Sequence, residues 1–336
     1  MKKKLFLVCM SLVWTVALMA QQIAVVSTSG TKVFRTLQEA IEGADPGSVI
    51  YLPGGGFTLP DSVKITKKLT IYGIGHKSNN DNADGRTIIS GNIFFNAGSS
   101  NSAIIGCYIT GSVVIGDGGA SVNDILVRYC NLNDVQVRNC TCKEATVNQN
   151  YIRGVSSFSN SNAKISNNIA CTILDVDGGF ILNNIVTTYC NIVGYTGSSY
   201  NDRWYMITAN NSVISNNITI GLNGYHRYYG DINPINGSNC QLYENMALQD
   251  VGESSIVVTD WNIVFVNYNE GAINPNSDFH FKDEYSQYQG KVGIYAGTGF
   301  SDDQLAPIPY IVRKIIPEHT DAEGKLNIKI RVKAGE

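Results

Sequence analysis

Short apolar segments recur along the chain, and each of them is followed by asparagine. The stretches AKISNNIACT, GGFILNNIVT and NSVISNNITI share an apolar residue, two variable positions, an asparagine and another apolar residue. Weaker copies start at Ala103 and Ile125. The central part of the chain is therefore built from an internal repeat. The equivalent asparagines are Asn150, Asn168, Asn184, Asn217 and Asn245, at steps of 18, 16, 33 and 28 residues.

The repeat predicts one short β-strand and one turn per copy. Apolar positions alternate, the strands are rich in β-branched residues, and Gly, Asn, Ser and Asp bound them, which is typical of strands and not of helices. A strand that recurs at a near-fixed period indicates the stacked rungs of a solenoid, with equivalent residues about 4.8 Å apart. The expected inward-facing ladder is Val147, Ile165, Ile181, Ile214 and Leu242.

The asparagines are expected at the bend of each rung. There an asparagine tolerates unusual backbone angles, and its side chain can bond to the backbone of the next rung. Stacked asparagines can also satisfy one another's amide groups. We therefore predict a structural role for Asn168, Asn184 and Asn217, not a catalytic one.

The segment before the repeats predicts a cap for the coil. Thr36 and Glu39 have the spacing of a capping box, which marks the start of a helix. Leu37, Ala40 and Ile41 fall on one face of that helix. A short amphipathic helix followed by the strand SVIYL would cover the open end of the coil and its edge.

The same segment carries a family resemblance. FRTLQEAIEGADPGSVIYLPGG, followed by VKITKKLTIYGIG, resembles the N-terminal cap and first rungs of the pectin-lyase-like right-handed β-helix superfamily. SDFHFKDEYSQYQGKVGIYAG is similar to the closing segment of secreted β-helix proteins from Bacteroidetes. The resemblance implies an all-β, right-handed parallel β-helix. It does not imply one activity, because the superfamily includes lyases, hydrolases, epimerases, adhesins and binding modules.

Three divisions of the chain follow. Residues 1–20 have three lysines, an apolar run and a terminal alanine, the layout of a cleaved secretory signal. Residues 21–300 are predicted to form one β-helix domain with its N-terminal cap. Residues 301–336 hold the alternating runs YIVRKI and LNIKIRV, which predict a strand or hairpin extension packed on the coil, since so short a segment cannot form its own core.

Charge and the signal segment limit the partners and the location. The signal holds three of the 25 basic residues and none of the 28 acidic ones, so residues 21–336 carry a net charge of about −6. This balance argues against nucleic acid and against bulk attraction to a polyanionic glycan. No later apolar run is long enough for a membrane helix. We expect export to the periplasm, the cell surface or the medium; the pattern does not predict an oligomeric state.

Seven cysteines remain after the signal, and an odd number cannot all pair. Cys140 and Cys142 have no histidine or second cysteine pair at zinc spacing. We expect them to be small hydrophobic residues of the core.

Two long steps of the repeat predict loops that differ in composition from the rest of the chain. If a rung takes 16–18 residues, the steps of 33 and 28 carry roughly fifteen and eleven extra residues. Their similar phase predicts that both leave the coil on the same side in consecutive rungs. Aromatic faces with interleaved Arg, His and Asp suit a sugar-binding surface, whereas the alternative is aromatics that pack on the coil. The candidate ligand-binding residues are Tyr195, Tyr200, Arg203, Trp204, His226, Arg227, Tyr228, Tyr229 and Asp231.

The sequence does not predict catalytic residues. The arginine-x-proline pattern of pectate lyases and the G-H-G signature of polygalacturonases are absent. Asp175 and Asp177 in DVDGGF could contact calcium, but no third and fourth acidic ligand follows at loop spacing, so a plain Asp-Gly turn and no cofactor are favoured. We therefore expect a secreted or cell-surface β-helix that binds polysaccharide. A polysaccharide lyase or glycoside hydrolase with unrecognised residues, and an adhesive or structural protein, are the alternatives.

Overall fold

The computed structural model describes residues 22–77, 85–116, 119–187, 205–220, 234–267, 277–297, 299–300, 308–315, 323, 325 and 329–333. In these residues nearly all regular structure is β. Two long sheets dominate, and almost all of their strand pairs are parallel. This arrangement is compatible with a parallel β-helix or solenoid.

The first long sheet, sheet A, receives one short strand from each repeat. Its strands pair in the order β2-β1-β3-β5-β8-β11-β13-β15-β17-β20-β23, so strands that neighbour in space come from successive repeats. The strands are β1 (Ile23–Ser27), β2 (Gly30–Phe34), β3 (Ser48–Tyr51), β5 (Leu69–Tyr72), β8 (Ala103–Ile105), β11 (Leu126–Arg128), β13 (Thr146–Asn148), β15 (Lys164–Ser166), β17 (Phe180–Leu182), β20 (Val213–Ser215) and β23 (Gln241–Tyr243).

The second long sheet, sheet B, has two limbs. Long strands such as β14 run through both limbs, whereas other repeats place one separate strand in each. The strands are β4 (Gly55–Thr58), β6 (Thr87–Ser90), β7 (Ile93–Phe95), β9 (Tyr108–Ile109), β10 (Val113–Ile115), β12 (Asn131–Val137), β14 (Tyr151–Phe158), β16 (Ile169–Asp177), β18 (Ile185–Thr187), β19 (Ile207–Asn210), β21 (Ile218–Ile220), β22 (Ile235–Ser238), β24 (Met246–Ala247) and β25 (Ile256–Val257).

One rung therefore consists of a strand of sheet A, the first limb of sheet B and the second limb of sheet B. The predicted apolar ladder is confirmed, because its five members are register partners in adjacent strands of sheet A. Val147, Ile165, Ile181 and Ile214 are fully buried, and Leu242 packs against the same core. Inward side chains of all three strand positions fill one continuous core.

The asparagine ladder lies between sheet A and the first limb. Asn168 Nδ2 donates to Asn184 Oδ1 at 3.0 Å and to the Val147 carbonyl oxygen at 2.8 Å. Asn168 Oδ1 accepts from the backbone nitrogen of Asn150 at 3.0 Å. Asn217 and Asn245 repeat the pattern and are fully buried. The predicted structural role is therefore confirmed.

One detail of that prediction is wrong, because the ladder asparagine does not adopt the unusual backbone angles. The residue before it does, with φ between 54° and 58° in every copy. Asparagine is common there since its short polar side chain tolerates the left-handed region, but glutamine and glutamate also occupy the position. These left-handed residues are Gln149, Asn167, Asn183, Asn216 and Glu244.

The N-terminal cap has the predicted helix. α1 (Leu37–Gly43) begins after Thr36, whose side chain accepts from the Glu39 nitrogen while the Glu39 side chain accepts from the Thr36 nitrogen. Its buried residues are Leu37, Ala40 and Ile41, as its periodicity predicts. β1 pairs antiparallel with β3 and β2 pairs antiparallel with β1, so these two strands extend sheet A beyond its first parallel strand.

The chain folds back along the outside of the coil after β25. A 3-10 helix (Trp261–Ile263) leads to β26 (Phe265–Asn267), which pairs antiparallel with β27 (Asp278–Phe281), and a second 3-10 helix (Asp283–Tyr288) follows. We call the described residues 277–297 and 299–300 the closing segment. Its apolar side chains cover outward-facing residues of the first limb and form a second core outside the coil. This core includes Tyr151, Ile169, Ile185, Ile218, Met246, Phe265, Phe279, Val292, Ile294 and Phe300.

Amide side chains of the left-handed residues hold the closing segment in place. Asn167 Nδ2 donates to the carbonyl oxygens of Ile294 and Ala296 at 2.9 and 2.6 Å. Gln149 Nε2 donates to the Gly299 carbonyl oxygen. Later residues of the closing segment therefore contact earlier rungs, so the segment runs along the coil in the direction opposite to the order of the rungs.

The described residues of the C-terminal extension include two paired strands. β28 (Tyr310–Ile315) and β29 (Lys329–Lys333) pair antiparallel, as the alternation in the tail predicts. Just before β28, Ile308 packs on the outer face of sheet A beside Ala103, Ile105 and Tyr129.

Candidate functional site

The nine residues predicted to bind a ligand lie outside the described residues. They are Tyr195, Tyr200, Arg203, Trp204, His226, Arg227, Tyr228, Tyr229 and Asp231. The strands that flank their two segments are described: β18 and β21 precede them in the first limb, and β19 and β22 follow them in the second. Because β18 pairs with β21 and β19 pairs with β22, both segments connect the two limbs of sheet B in consecutive rungs.

Earlier rungs carry a row of polar side chains at this same bend between the limbs. We call Asp61, Asn92, Ser112, Asp134 and Arg153 the bend row. Asn92 Nδ2 donates to Asp61 Oδ1 at 3.0 Å, and Asn92 Oδ1 accepts from the Ser112 nitrogen at 2.9 Å. Ser112 Oγ donates to Asp134 Oδ2 at 3.5 Å. Each contact joins neighbouring rungs, so the row is a hydrogen-bonded chain along the coil.

Asp134 and Arg153 form the charged part of the bend row. The Arg153 guanidinium donates through Nη2 to Asp134 Oδ2 and through Nε to Oδ1. The Arg153 side chain is 41% exposed and that of Asp134 is 23% exposed. An ion pair so open to solvent adds only about 0–1 kcal/mol to stability. Its main consequence is that both charged groups have fixed directions on an accessible surface.

Gly154 leaves room for this pair. A Cβ atom at Gly154 would lie 2.7 Å from Asp134 Oδ1 and 3.3 Å from Thr172 Oγ1. Any larger residue would therefore displace the Asp134 carboxylate. Thr172 is the register partner of Gly154 in the next rung and places a hydroxyl group there. The row thus continues as a polar surface to the rung before the two long segments.

The bend row offers both hydrogen-bond donors and acceptors at one-rung intervals. Carboxylates and amide oxygens accept, whereas guanidinium and amide N–H groups donate, and hydroxyls do both. Such a surface suits an extended ligand with many hydroxyl groups better than a compact apolar one.

The two carboxylates weighed as calcium ligands bond within the protein. Asp175 Oδ1 accepts from Thr208 Oγ1 at 3.4 Å, and Asp177 Oδ1 accepts from Asn211 Nδ2 at 2.8 Å. Asp175 has a left-handed backbone at a bulge. Among the described residues, no three His, Cys, Asp or Glu side chains come together as metal ligands do.

A second polar contact lies on the closing segment. The Asp278 carboxylate accepts from the His280 ring nitrogen Nδ1 at 2.6 Å and from the His280 backbone nitrogen at 2.9 Å. Partial burial raises the pKa of Asp278, but these bonds outweigh it and hold that pKa below its ordinary value. The His280 ring stacks on Tyr295 at 4.0 Å between centroids. We infer that this contact stabilises the local structure of the closing segment.

Most described cysteines are free thiols, and the buried ones lie in the core. Burial raises the pKa of Cys130 and of Cys142 to about 12, and it raises the pKa of Cys107 well above the ordinary value of a thiol. Such thiols are protonated and inert at neutral pH. Cys140 is only partly buried, and Cys142 is buried as expected. Cys171 is disulfide-bonded.

Sequence reasoning missed the bend row, although a signal was present. Asp134, Gly154 and Thr172 each come four residues after a ladder position, namely Cys130, Asn150 and Asn168. Aligning the repeats on the ladder would have shown polar or small residues at this offset.

Comparisons with known proteins return no match. No protein-family model, no curated protein and no solved structure matches the chain. In the described part of the chain, every helix is too short or too polar to cross a membrane.

Proposed function

We propose that this chain is an exported right-handed parallel β-helix of the pectin-lyase-like type and that it binds polysaccharide along the bend between the limbs of sheet B. The observation that carries the proposal is the bend row, which repeats polar side chains rung after rung along the coil. A polysaccharide laid along the coil axis would present hydroxyl groups in a similarly repeating order.

The position of the two long segments supports the proposal. Both follow a strand of the first limb and precede a strand of the second limb in consecutive rungs, so our proposal assigns the aromatic residues in their sequences to an extension of the bend row. Aromatic side chains stack on pyranose rings, and the polar row would bond to hydroxyl groups. The two features are the complementary parts of a sugar-binding surface.

The charge of the bend row supports binding without turnover. Glycoside hydrolysis needs two carboxyl groups on either side of the scissile bond, with one kept protonated. In the bend row the Asp134 carboxylate is paired with Arg153, and the Asp61 carboxylate is hydrogen-bonded to Asn92. Both carboxylates are therefore engaged as hydrogen-bond acceptors within the row.

A glycan array followed by titration calorimetry tests the proposal. Arg153→Ala and Trp204→Ala should each weaken binding of the selected oligosaccharide by about 1–2 kcal/mol, since the proposal gives each side chain a direct contact with the sugar. Lys164→Ala is the matched control, because Lys164 is an exposed cation on sheet A, away from the bend. Binding that Lys164→Ala reduces as much as Arg153→Ala would point to unspecific charge effects and contradict the proposal.

Incubation of the same glycans with the protein separates binding from catalysis. Unsaturated or shortened products that Arg153→Ala abolishes would favour a lyase or hydrolase. The absence of binding to every glycan, together with binding to host or bacterial proteins, would favour an adhesive role.

A further inference from the structure

The ion pair of the bend row bears on which polysaccharides the row can accept. Asp134 and Arg153 come from neighbouring rungs, and the guanidinium bonds to both carboxylate oxygens through Nη2 and Nε. The planar fork of a guanidinium matches a carboxylate in this geometry, so the pair is directional as well as charged. The positive charge of Arg153 is therefore already neutralised within the protein.

Two neighbours keep the Asp134 carboxylate in this position. Ser112 Oγ donates to Asp134 Oδ2 from the preceding rung. Gly154 in the next rung has no Cβ, and a Cβ there would lie 2.7 Å from Asp134 Oδ1. A carboxylate of a ligand could bind Arg153 only by replacing Asp134. That exchange would leave the Asp134 carboxylate, which is only 23% exposed, without its cation.

The rest of the row adds negative charge but no cation. Asp61 bonds to the neutral amide of Asn92, and Ser112 is uncharged. The two carboxylates of the row outnumber its one guanidinium, and residues 21–336 as a whole also carry a net negative charge. A polyanionic chain laid along the row would therefore meet repulsion, whereas hydroxyl groups would meet both donors and acceptors.

We infer that Asp134 determines the charge preference of the bend row, so that the row takes uncharged polysaccharides and rejects chains of uronic acids. Asp134 does so by neutralising Arg153 and by repelling carboxylates of the ligand. Specificity of this kind needs a repulsive element against the wrong ligand as well as contacts to the right one. The inference rests on the proposed function, because it names the class of polysaccharide that the row binds.

Titration calorimetry with matched oligosaccharides tests the inference. The probes are linear hexamers of glucose, mannose and galactose, each compared with its derivative in which C6 is oxidised to a carboxylate. The two members of each pair share the same backbone and linkage and differ at C6 alone. The parent protein should bind a neutral hexamer about tenfold more tightly than its oxidised derivative.

Asp134→Asn should reduce this preference. Asparagine keeps the shape of the side chain and leaves the charge of Arg153 available to a carboxylate of the ligand. The affinity for the oxidised hexamer should rise by about three- to fivefold, which is the effect of one exposed ion pair. The gain should shrink in roughly 1 M NaCl, because salt screens exposed charges.

Two further variants separate the ion pair from net charge. Combining Asp134→Asn with Arg153→Gln should abolish the gain, since the cation is then missing. Asp124→Asn is the matched control, because it removes the same charge from an exposed position before β11 whose left-handed backbone asparagine also adopts. It should leave the ratio of the two affinities unchanged.

The outcomes distinguish this inference from the proposed function. If the parent binds an oxidised hexamer as tightly as the neutral one, or if Asp134→Asn brings no gain, the inference is overturned while glycan binding stands. An equal gain from Asp124→Asn would assign the preference to net charge and would also overturn it. If no hexamer of either kind binds, the proposed function fails and this inference fails with it.

Discussion

Replacing Asn168 by leucine tests whether the asparagine ladder stabilises the coil through its hydrogen bonds. Asn168 is fully buried, and its side chain bonds to the rungs on both sides. Leucine has a similar volume but no polar atoms. The substitution leaves the Asn150 backbone nitrogen without its acceptor and removes a donor from the Val147 carbonyl oxygen.

The expected loss follows from those two groups. A buried polar group that loses its partner costs about 1–3 kcal/mol, so two of them should lower the free energy of unfolding by about 2–6 kcal/mol. Asn184 Oδ1 retains the Asn168 backbone nitrogen as a donor, which limits further loss.

Urea unfolding at neutral pH measures the effect, with the midpoint and the slope compared between parent and variant. Asn236→Leu is the control, because Asn236 is an exposed residue of β22, and its substitution should change stability by less than about 0.5 kcal/mol. If Asn168→Leu changes stability no more than Asn236→Leu, the ladder bonds do not stabilise the coil and the reasoning is refuted.

Two more predictions concern the core and the bend. The folded protein should lose stability as pH rises above about 9. Thiols of the unfolded chain ionise at that pH, whereas Cys130 in the folded protein remains protonated up to about 12. Each such thiol lowers the free energy of unfolding by about 1.4 kcal/mol per pH unit in this range. Cys130→Ser should make that decline shallower in urea titrations between pH 9 and 11, and an unchanged slope would contradict the assignment. Gly154→Ala should cost about 1–2 kcal/mol and weaken glycan binding by displacing Asp134, as measured by urea unfolding and calorimetry. Gly56→Ala, which meets no atom within 4 Å, should change neither, and equal effects of the two substitutions would contradict the steric argument.

The regular parts of the fold could be predicted because they repeat. Inward positions such as Ile165 and Ile181 must be apolar in every rung, and a buried ladder needs an amide that donates and accepts at once. Both requirements recur once per rung, so they produce a periodic pattern of apolar residues and asparagines in the sequence. The capping box at Thr36 is likewise a local signal with a local cause.

The closing segment could not be positioned in the same way. Its contacts join residues far apart in sequence, such as Asn167 and Ile294, and each contact occurs once. Its apolar residues show that it packs against something, but not that it covers Tyr151 and Ile169 on the outside of the coil. Cys107 and Cys130 were also missed as ladder members, because a thiol donor replaces the amide at these two positions. The Cys130 thiol lies 3.2 Å from the Arg128 carbonyl oxygen.

The bend row follows from a different constraint than the ladder. A buried ladder position admits few side chains, since each one must satisfy the rungs above and below. The bend faces solvent, so Asp61, Asn92, Ser112 and Asp134 can all occupy it without loss of the core. The coil thus fixes the spacing of the row and leaves its chemistry free to vary. Because Asp61, Asn92, Ser112 and Asp134 nevertheless bond to one another in sequence along the coil, the row forms one continuous surface, which is the property that an extended ligand requires.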